Sequence, residues 1–491
     1  MMAITIMGKV LGILRDSFQG TTFGADTAYG MAFAQASALP RNFLDIMFAA
    51  AFSASFIPVF TTYLETKGKD AAFDLAGRFI SIVLVLTTLV VVAGILLATP
   101  IMSLTLSGDN VTPETITLGA SLLRFMFPLM ILSGLAFSFT GVLQSLGEFR
   151  IPAAMSLVSN AIILVYYLFF VDYFGVYGLA IVFLIGWGAQ AGIQLPFLIK
   201  HKFKFKFAFN LRHPGIVQIG KLALPVLVSS WVVPINIMVN VNAASNLYGG
   251  EFGIVATYFS NSLFAIISGV FILSVSNVVF PKLSKLVALG DDAGFSHTLA
   301  STIRVVLLLL LPLTFGMFAL SQPIVQLIYG RGNFCETAVN ITSTSLMYLA
   351  PGIVGFGLFA VLSRACYARL DGRTPILASV VAIATNGVLS FALAPTMYIA
   401  GPALASAIAQ TLGALVLVVT LTTKGVLKWH GAIDIAKMLF CAIIMFIVVQ
   451  LVVNNLQNHH VIIQLGITAT IGAAVYFALA YLLKIKEVKI W

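Results

Sequence analysis

Six charged side chains sit inside segments that otherwise read as apolar: Lys9, Arg15 and Asp16 in the first, Arg41 and Asp45 in the second, and Arg124 in the fourth. Arginine brings a planar fork of donors that matches phosphate oxygens two at a time; lysine brings a compact point charge. At roughly 2.5–3.5 kcal/mol per charge on the insertion scale, six such residues in a bilayer would cost about 15–20 kcal/mol, which argues for a watery cavity. At about 100° per residue, Gly8, Lys9, Gly12, Arg15, Asp16 and Gln19 share one arc of about 120°, with Ile6, Val10, Leu11, Ile13 and Leu14 opposite. The first helix is therefore expected to turn a small-and-cationic stripe towards something polar. The chemistry that suits this stripe is recognition of an anionic or pyrophosphate-bearing headgroup. Plainer roles compete with it: Lys9 or Arg15 snorkelling to an interface, Arg41 and Asp45 pairing at i, i+4, and Arg124 anchoring the fourth helix.

The elements that must hold these residues are membrane helices. Of the 491 residues, 60% are hydrophobic and only 9% charged, against about 25% in soluble domains, and the mean hydropathy is +1.04. This excludes a soluble enzyme with one anchor, a secreted protein and a disordered regulator. Solid apolar runs such as 80–97 and 305–311 exclude the alternating pattern of an outer-membrane barrel. At roughly 35 residues per span and loop, the length gives about fourteen spans. Apolar runs place them at 2–23, 28–61, 75–102, 116–145, 151–172, 176–199, 220–247, 253–280, 297–320, 337–363, 374–397, 400–423, 434–454 and 461–483. Fourteen spans put both termini on one side. Twenty basic residues fall in one alternating set of loops, among them the run Lys200 to Lys206, and only Arg331 in the other. By the positive-inside rule the basic loops and both termini are cytoplasmic, in a multi-pass inner-membrane protein.

The chain also repeats itself at an offset of 222–223 residues. Gly68 to Phe73 recurs as Gly290 to Phe295, and Arg150-Ile151-Pro152 as Arg373-Thr374-Pro375; Pro58 matches Pro281, Ser156 matches Ser379, and Gly178 matches Gly401. A six-span offset makes the halves parallel repeats about an axis along the membrane normal. The expected organisation is an N-lobe at 1–212, a C-lobe at 213–424 and two further helices at 425–491. Two lobes with helices broken at Pro225, Pro234 and Pro351 favour alternating access, with substrate between the lobes.

Other chemistry is poorly supported. There is no GxxxxGK[ST] loop and no HExxH, and the six histidines have no carboxylate constellation around them. Cys335, Cys366 and Cys441 make neither a disulfide framework nor a zinc spacing. No catalytic residue, cofactor or metal is expected. The net charge of +10 is read as topology and contact with membrane lipids, not nucleic acid. The first segment, with Lys9 and Arg15 inside it, does not read as a signal peptide.

Several motifs carry a family resemblance over essentially the whole chain. Gly8-Lys9-Val10-Leu11-Gly12-Ile13-Leu14-Arg15-Asp16 is similar to the first-helix motif of the MurJ (MviN) lipid II flippases. Phe23-Gly24-Ala25, the run Ser53 to Phe60, Gly141 to Ser145 and Arg150 to Ala153 also fit, as does Cys366 to Pro375 with its Tyr-Ala-x-x-Asp-x-x-Thr-Pro core. The resemblance implies the multidrug/oligosaccharidyl-lipid/polysaccharide (MOP) exporter fold. It implies movement of undecaprenyl-pyrophosphate-linked muropeptide, lipid II, from the inner to the outer leaflet, with other cell-wall synthesis proteins as partners. Arg15 and Asp16 match the family's helix-1 pair, and Lys9 stands where many members have arginine. Leu44 and Ala49 stand where many members carry Arg and Glu. Ser262, beside Asn261, takes the place of a cavity arginine in the eighth span, so Arg41 or Arg124 is the candidate to compensate. The family's proposed sodium site uses carboxylates of the seventh and eleventh spans. Neither span has one here, and Asn236, Asn240 and Asn386 are the polar residues available. The competing readings are a flippase for another lipid-linked oligosaccharide, a MATE-like cation-coupled drug antiporter, and a membrane scaffold that does not transport.

Overall fold

The computed structural model describes residues 2–106, 111–246, 250–428, 432–456 and 459–487; the side chains of 2, 3, 5, 6, 42–51, 53, 54, 229, 250, 251, 270–278, 281, 288 and 432 lie outside that description. Every regular element among the described residues is helical. With no water in a bilayer to satisfy stray N–H and C=O groups, a helix is the element that satisfies its backbone alone. Eleven helices, or twelve if one bent pair counts as a single span, are long and apolar enough to cross a membrane.

The chain packs as two compact units, 1–234 and 235–491. The first holds α1 (Met2–Phe23), α2 (Ala28–Ala51), a π-helical turn (Phe52–Phe56), α3 (Ile57–Lys67), α4 (Lys69–Leu96), α5 (Ala98–Thr105), α6 (Pro113–Met126), α7 (Leu129–Ser145), α8 (Arg150–Phe169), α9 (Val171–Gly192), α10 (Leu195–Lys200) and α11 (Pro214–Ser230). α12 (Val232–Ser245) crosses the boundary. The second unit continues with α13 (Gly250–Ala288), α14 (Asp292–Tyr329), α15 (Glu336–Leu349), α16 (Gly352–Ala368), α17 (Arg373–Met397), α18 (Ala400–Thr423), α19 (Ala432–Asn455) and α20 (Val461–Leu482). All fourteen segments expected from the apolar runs are helical, some as broken pairs.

α4 shows how one such helix is held. Leu75, Ala76, Ile80, Val83, Val91 and Gly94 are buried, while Leu86, Leu89, Val90, Val92 and Leu96 are exposed on the outside. The polar atom that would disturb this arrangement, Thr87 Oγ1, donates back to the Val83 carbonyl at 2.7 Å, which satisfies it within its own helix. The Ser53 to Phe60 motif builds the core beside α4. Phe56 stacks on Phe79 at 4.6 Å between ring centroids, and the π-helical turn that carries it ends two residues before Pro58, where the missing N–H makes a regular turn hardest to close. Gly141 of α7 leaves room for that ring: a Cβ there would lie 2.8 Å from Phe56 Cδ1. Small residues play the same part in the second unit, where a Cβ on Gly355 of α16 would fall 2.6 Å from the backbone N of Thr411 on α18.

The sequence repeat is present in the backbone. α6 and α7 have the bounds of α15 and α16 shifted by 223 residues. Each pair breaks just before or at a proline, Pro128 and Pro351, and the second pair is bent by 48°. Left-handed residues recur at the same offset: Gly147 and Leu370, Gly175 and Tyr398, Lys202 and Gly425, and, one residue short, Gly68 and Gly290. A side-chain pair recurs too. Glu148 approaches His201 within 3.8 Å, and their counterparts Asp371 and Lys424 pair at 2.8 Å.

Asp371 explains part of the Tyr-Ala-x-x-Asp-x-x-Thr-Pro motif. Its Oδ1 accepts from the backbone N–H groups of Arg373 and Thr374, both at 3.1 Å, and its Oδ2 accepts from Thr374 Oγ1 at 2.7 Å and Lys424 Nζ at 2.8 Å. It thereby caps α17 and ties it to the end of α18. Partial burial pushes this carboxyl up, but the Lys424 and Thr374 hydrogen bonds outweigh that and hold it at about 2. The C-terminal residues close the second unit: Lys437 Nζ donates to the Leu483 carbonyl at 3.0 Å, and Glu487, 2% exposed, pairs with Arg304 of α14.

Two outcomes follow. A carboxyl whose pKa is lowered by folding adds stability that is complete above the unfolded value of about 3.9 and is lost as pH falls through the folded value. Asp371→Asn is expected to unfold at a lower temperature than the wild type at neutral pH, with the gap closing as both are acidified towards pH 2. Glu487→Ala leaves the part-buried Arg304 without that partner and is expected to lower the unfolding midpoint in detergent, whereas Arg304→Met with Glu487→Leu recovers most of the loss.

Candidate functional site

α1 packs along α8, and its small stripe is what lets the two approach. A Cβ on Gly8 would meet Ser156 Oγ at 2.4 Å and the Leu157 N at 3.3 Å, and one on Gly12 would lie 3.4 Å from Asn160 Nδ2. Met7, Val10 and Leu14 are exposed on the other side. The two faces expected from the sequence are therefore present. On the polar one, Gly8, Gly12 and Arg15 meet α8, which supplies polar partners through Asn160.

Arg15 lies at the centre of this interface, only 9% exposed, and Asp16 is fully buried. Arg15 Nε and Nη2 both donate to Asp16 Oδ1, at 3.0 and 2.7 Å, and Nη1 donates to Asn160 Oδ1 at 3.0 Å. The Asn160 amide completes the link by donating its Nδ2 hydrogen to the Gly8 carbonyl at 3.0 Å. The guanidinium carbon also stands 5.7 Å from the centre of the Phe183 ring, within cation–π range. A buried guanidinium stripped of water is tolerable only when paired and hydrogen-bonded, and here both conditions hold. The Nε–Nη2 edge, the one suited to two phosphate oxygens, is occupied by a single carboxylate oxygen.

The remaining predicted residues are spread out. Lys9 is half-buried on α1, and Arg41 half-buried on α2 just after Pro40. The side chain of Asp45, its expected partner, lies outside the description, as do those of Leu44 and Ala49. Arg124 is exposed near the end of α6 and donates from Nη2 to Thr99 Oγ1 of α5 at 3.0 Å. Asn261 and Ser262 belong to α13 in the second unit, where Asn261 Nδ2 donates to the Thr257 carbonyl of its own helix at 2.8 Å. The structure thus joins Arg15 to Asp16 directly and to no other predicted residue through a described hydrogen bond.

Sequence reasoning missed Asn160 and the polar residues near it. Gln190 of α9 donates to Ser159 Oγ of α8 at 2.8 Å, and Gln194 donates to the Ala136 carbonyl of α7 at 3.0 Å. Their signal was available: neutral amides inside apolar spans. The second unit has a comparable cluster between α12 and α17. Asn386 Nδ2 donates to Asn240 Oδ1 at 3.0 Å and to the Asn236 carbonyl at 3.3 Å, and Ser390 Oγ donates to Asn240 Oδ1 at 3.1 Å. Ser390 was not anticipated.

The model of the family described as lipid II flippase MurJ matches residues 20–470. The chain belongs to this family. A probable lipid II flippase MurJ from Vibrio cholerae is 30% identical over 399 residues, covering 79% of this chain and 75% of that protein. A probable lipid II flippase MurJ from Rickettsia prowazekii is 26% identical over 493 residues, covering 98% of this chain and 96% of its own. Arg15 precedes the matched region of the family model, but the Rickettsia alignment leaves too little of the chain uncovered to omit it. Among solved structures, a lipid II flippase MurJ in an inward closed conformation superposes with a TM-score of 0.80 at 23% identity over 98% of both chains. An inward-facing MATE transporter of the MOP superfamily gives 0.70 at 12% identity over 86% of this chain and 96% of that one. The MurJ fold is thus shared, and with it the MOP architecture.

In this MurJ family member, Asn160→Ala would leave Arg15 Nη1 and the Gly8 carbonyl without the partners described above. Each orphaned group costs about 1–3 kcal/mol. A clear drop in the detergent unfolding midpoint is expected, and a midpoint equal to the wild type would show that the amide link carries no stability.

Proposed function

We infer that this chain is a lipid II flippase, moving undecaprenyl-pyrophosphate-linked muropeptide from the inner to the outer leaflet of the bacterial cytoplasmic membrane for cell-wall synthesis. It is a transporter, not an enzyme. The observation that carries the reading is the family match over residues 20–470, supported by relatives named as lipid II flippases. Up to twelve spans among the described residues satisfy length and apolarity, which with α1 and the α2–α3 run added supports a count of fourteen crossings. The excess of basic residues in alternate loops supports cytoplasmic termini. The 223-residue repeat of helix bounds and left-handed residues supports two related six-span lobes followed by α19 and α20, with alternating access between them.

In this reading the Arg15–Asp16–Asn160 network is the resting state of a binding group. A pyrophosphate oxygen pair competes with Asp16 for the Nε–Nη2 edge, and Asp16 keeps the guanidinium paired when no headgroup is present. Lys9, Arg41 and Arg124 add positive charge, and Asn261 and Ser262 offer neutral polar contacts where other members carry a cation.

Arg15→Ala alone would strand Asp16 and confuse folding with function, so the informative variant is Arg15→Ala with Asp16→Ala. The flippase reading expects this protein to insert normally while lipid II exposure on the outer leaflet falls at least about tenfold, the loss corresponding to about 1.4 kcal/mol of headgroup interaction. Arg15→Lys, which keeps charge and loses the fork, should fall between. Unchanged exposure in cells whose only flippase is the double variant would refute the role of Arg15. Unchanged exposure in cells lacking the protein and any redundant flippase would refute the function.

A further inference from the structure

The family resemblance brings an expectation of a sodium ion held by carboxylates of the seventh and eleventh spans. α12 and α17 lie in those spans, and the residues that meet there do not fit the ion. Asn236, Asn240, Asn386 and Ser390 are all buried, and neither helix contains an aspartate or glutamate. The hydrogens of Asn386 Nδ2 are aimed at Asn240 Oδ1 and at the Asn236 carbonyl, two of the oxygens a cation would need, and Ser390 spends its hydrogen on Asn240 Oδ1. These oxygens already receive donors, and a cation replacing those donors would bring a full charge with nothing buried beside it to balance it. Asn236 Oδ1 has no hydrogen-bond partner among the described residues; it is one neutral oxygen, of the kind a single buried water satisfies.

The first unit shows the same device in charged form. α8 and α17 begin 223 residues apart, and each sends an asparagine amide to a backbone carbonyl of another helix: Asn160 to Gly8 and Asn386 to Asn236. At the first contact the cation is covalent, Arg15, and Asp16 is its counter-charge. At the second, neither helix supplies a carboxylate. Each cluster is electrically closed without an ion from outside.

We propose that the α12–α17 cluster is an uncharged clasp and that this protein neither binds sodium there nor needs it. The consequence for transport rests on the flippase reading; the binding claim does not. The test is the unfolding midpoint of the purified full-length protein in detergent, titrated with sodium chloride against choline chloride and potassium chloride at equal ionic strength. The wild type is expected to respond identically to all three salts. Asn386→Asp, or Asn240→Asp should the first not fold, supplies the missing charge and is expected to gain a saturable, sodium-specific rise. A saturable sodium-specific rise in the wild type that Asn386→Ala removes would overturn the proposal. Folded aspartate variants that stay silent would overturn its explanation by the missing carboxylate. Sodium-indifferent lipid II movement supports the transport consequence, whereas absence of lipid II movement with a silent wild type would count against the flippase reading and leave the clasp standing.

Discussion

A guanidinium inside a membrane protein has to be matched, by water or by the protein. The Arg15 interface is built around that requirement. Gly8 and Gly12 carry no side chain, so α8 comes close enough for Asn160 to reach both the arginine and the Gly8 carbonyl. Asp16 is adjacent in sequence, so the counter-charge travels with the cation and need not be found during folding. A side chain at Gly8 would run into Ser156 and the Leu157 backbone, pushing the helices apart and uncovering polar atoms that have no cheap alternative in hydrocarbon. The apolar edge of Met7, Val10 and Leu14 can face outward only because the other edge is satisfied inside.

The same requirement shapes the rest of each unit. Hydroxyls return to their own helices, as Thr87 does to Val83, and amides cross between helices, as Gln194 does to Ala136. With few charges available, loops are secured by compact polar knots such as the one at Asp371, which caps α17 and holds Lys424 together. That knot and the Glu148–His201 approach stand at equivalent places in the repeat. The duplication has therefore kept the position of an acid facing a base while letting the strength of the contact drift.

Much of the helical layout was legible because hydrophobic length is a blunt signal. The 400–423 segment was placed at its observed bounds, and the others mostly within several residues. The repeat was legible from a handful of matches because the positions that recur are those that backbone geometry constrains: helix starts, prolines and left-handed turns such as 68 and 290. The polar side of α1 was legible too, but not its destination. Insertion cost says that Arg15 must leave hydrocarbon; it does not distinguish a hydrated cavity from an asparagine 145 residues away. Nor could the wheel of one helix reveal that glycines beside the cation mark a close helix crossing, since that depends on Ser156 and Asn160 of another helix. The break at Pro351 was legible from its proline, whereas the tucked Glu487 was hidden, because its partner Arg304 is distant in sequence.

The contrast between the two asparagine contacts bears on what could drive a transport cycle. A coupling ion does work only if one state of the protein holds it better than another, and that requires a site whose oxygens are free to turn to it. At α12–α17 Asn240 Oδ1 and the Asn236 carbonyl already receive the hydrogens of Asn386 and Ser390, which leaves the single neutral oxygen of Asn236 Oδ1. At α1–α8 the Arg15 fork is held by one carboxylate oxygen of Asp16, an acceptor of the same charge-assisted kind as a phosphate oxygen. The energy that biases the cycle then has to act on the cargo. An anionic headgroup leaving a negative interior gains about 2.3 kcal/mol per charge per 100 mV of membrane potential, if it crosses uncompensated. With Asp16 moving alongside Arg15 as a neutral pair, the protein's own charges at this site cancel in that term and the headgroup's do not. Because Arg15 carries its counter-charge beside it, the potential at this site acts on an anionic headgroup and not on the pair.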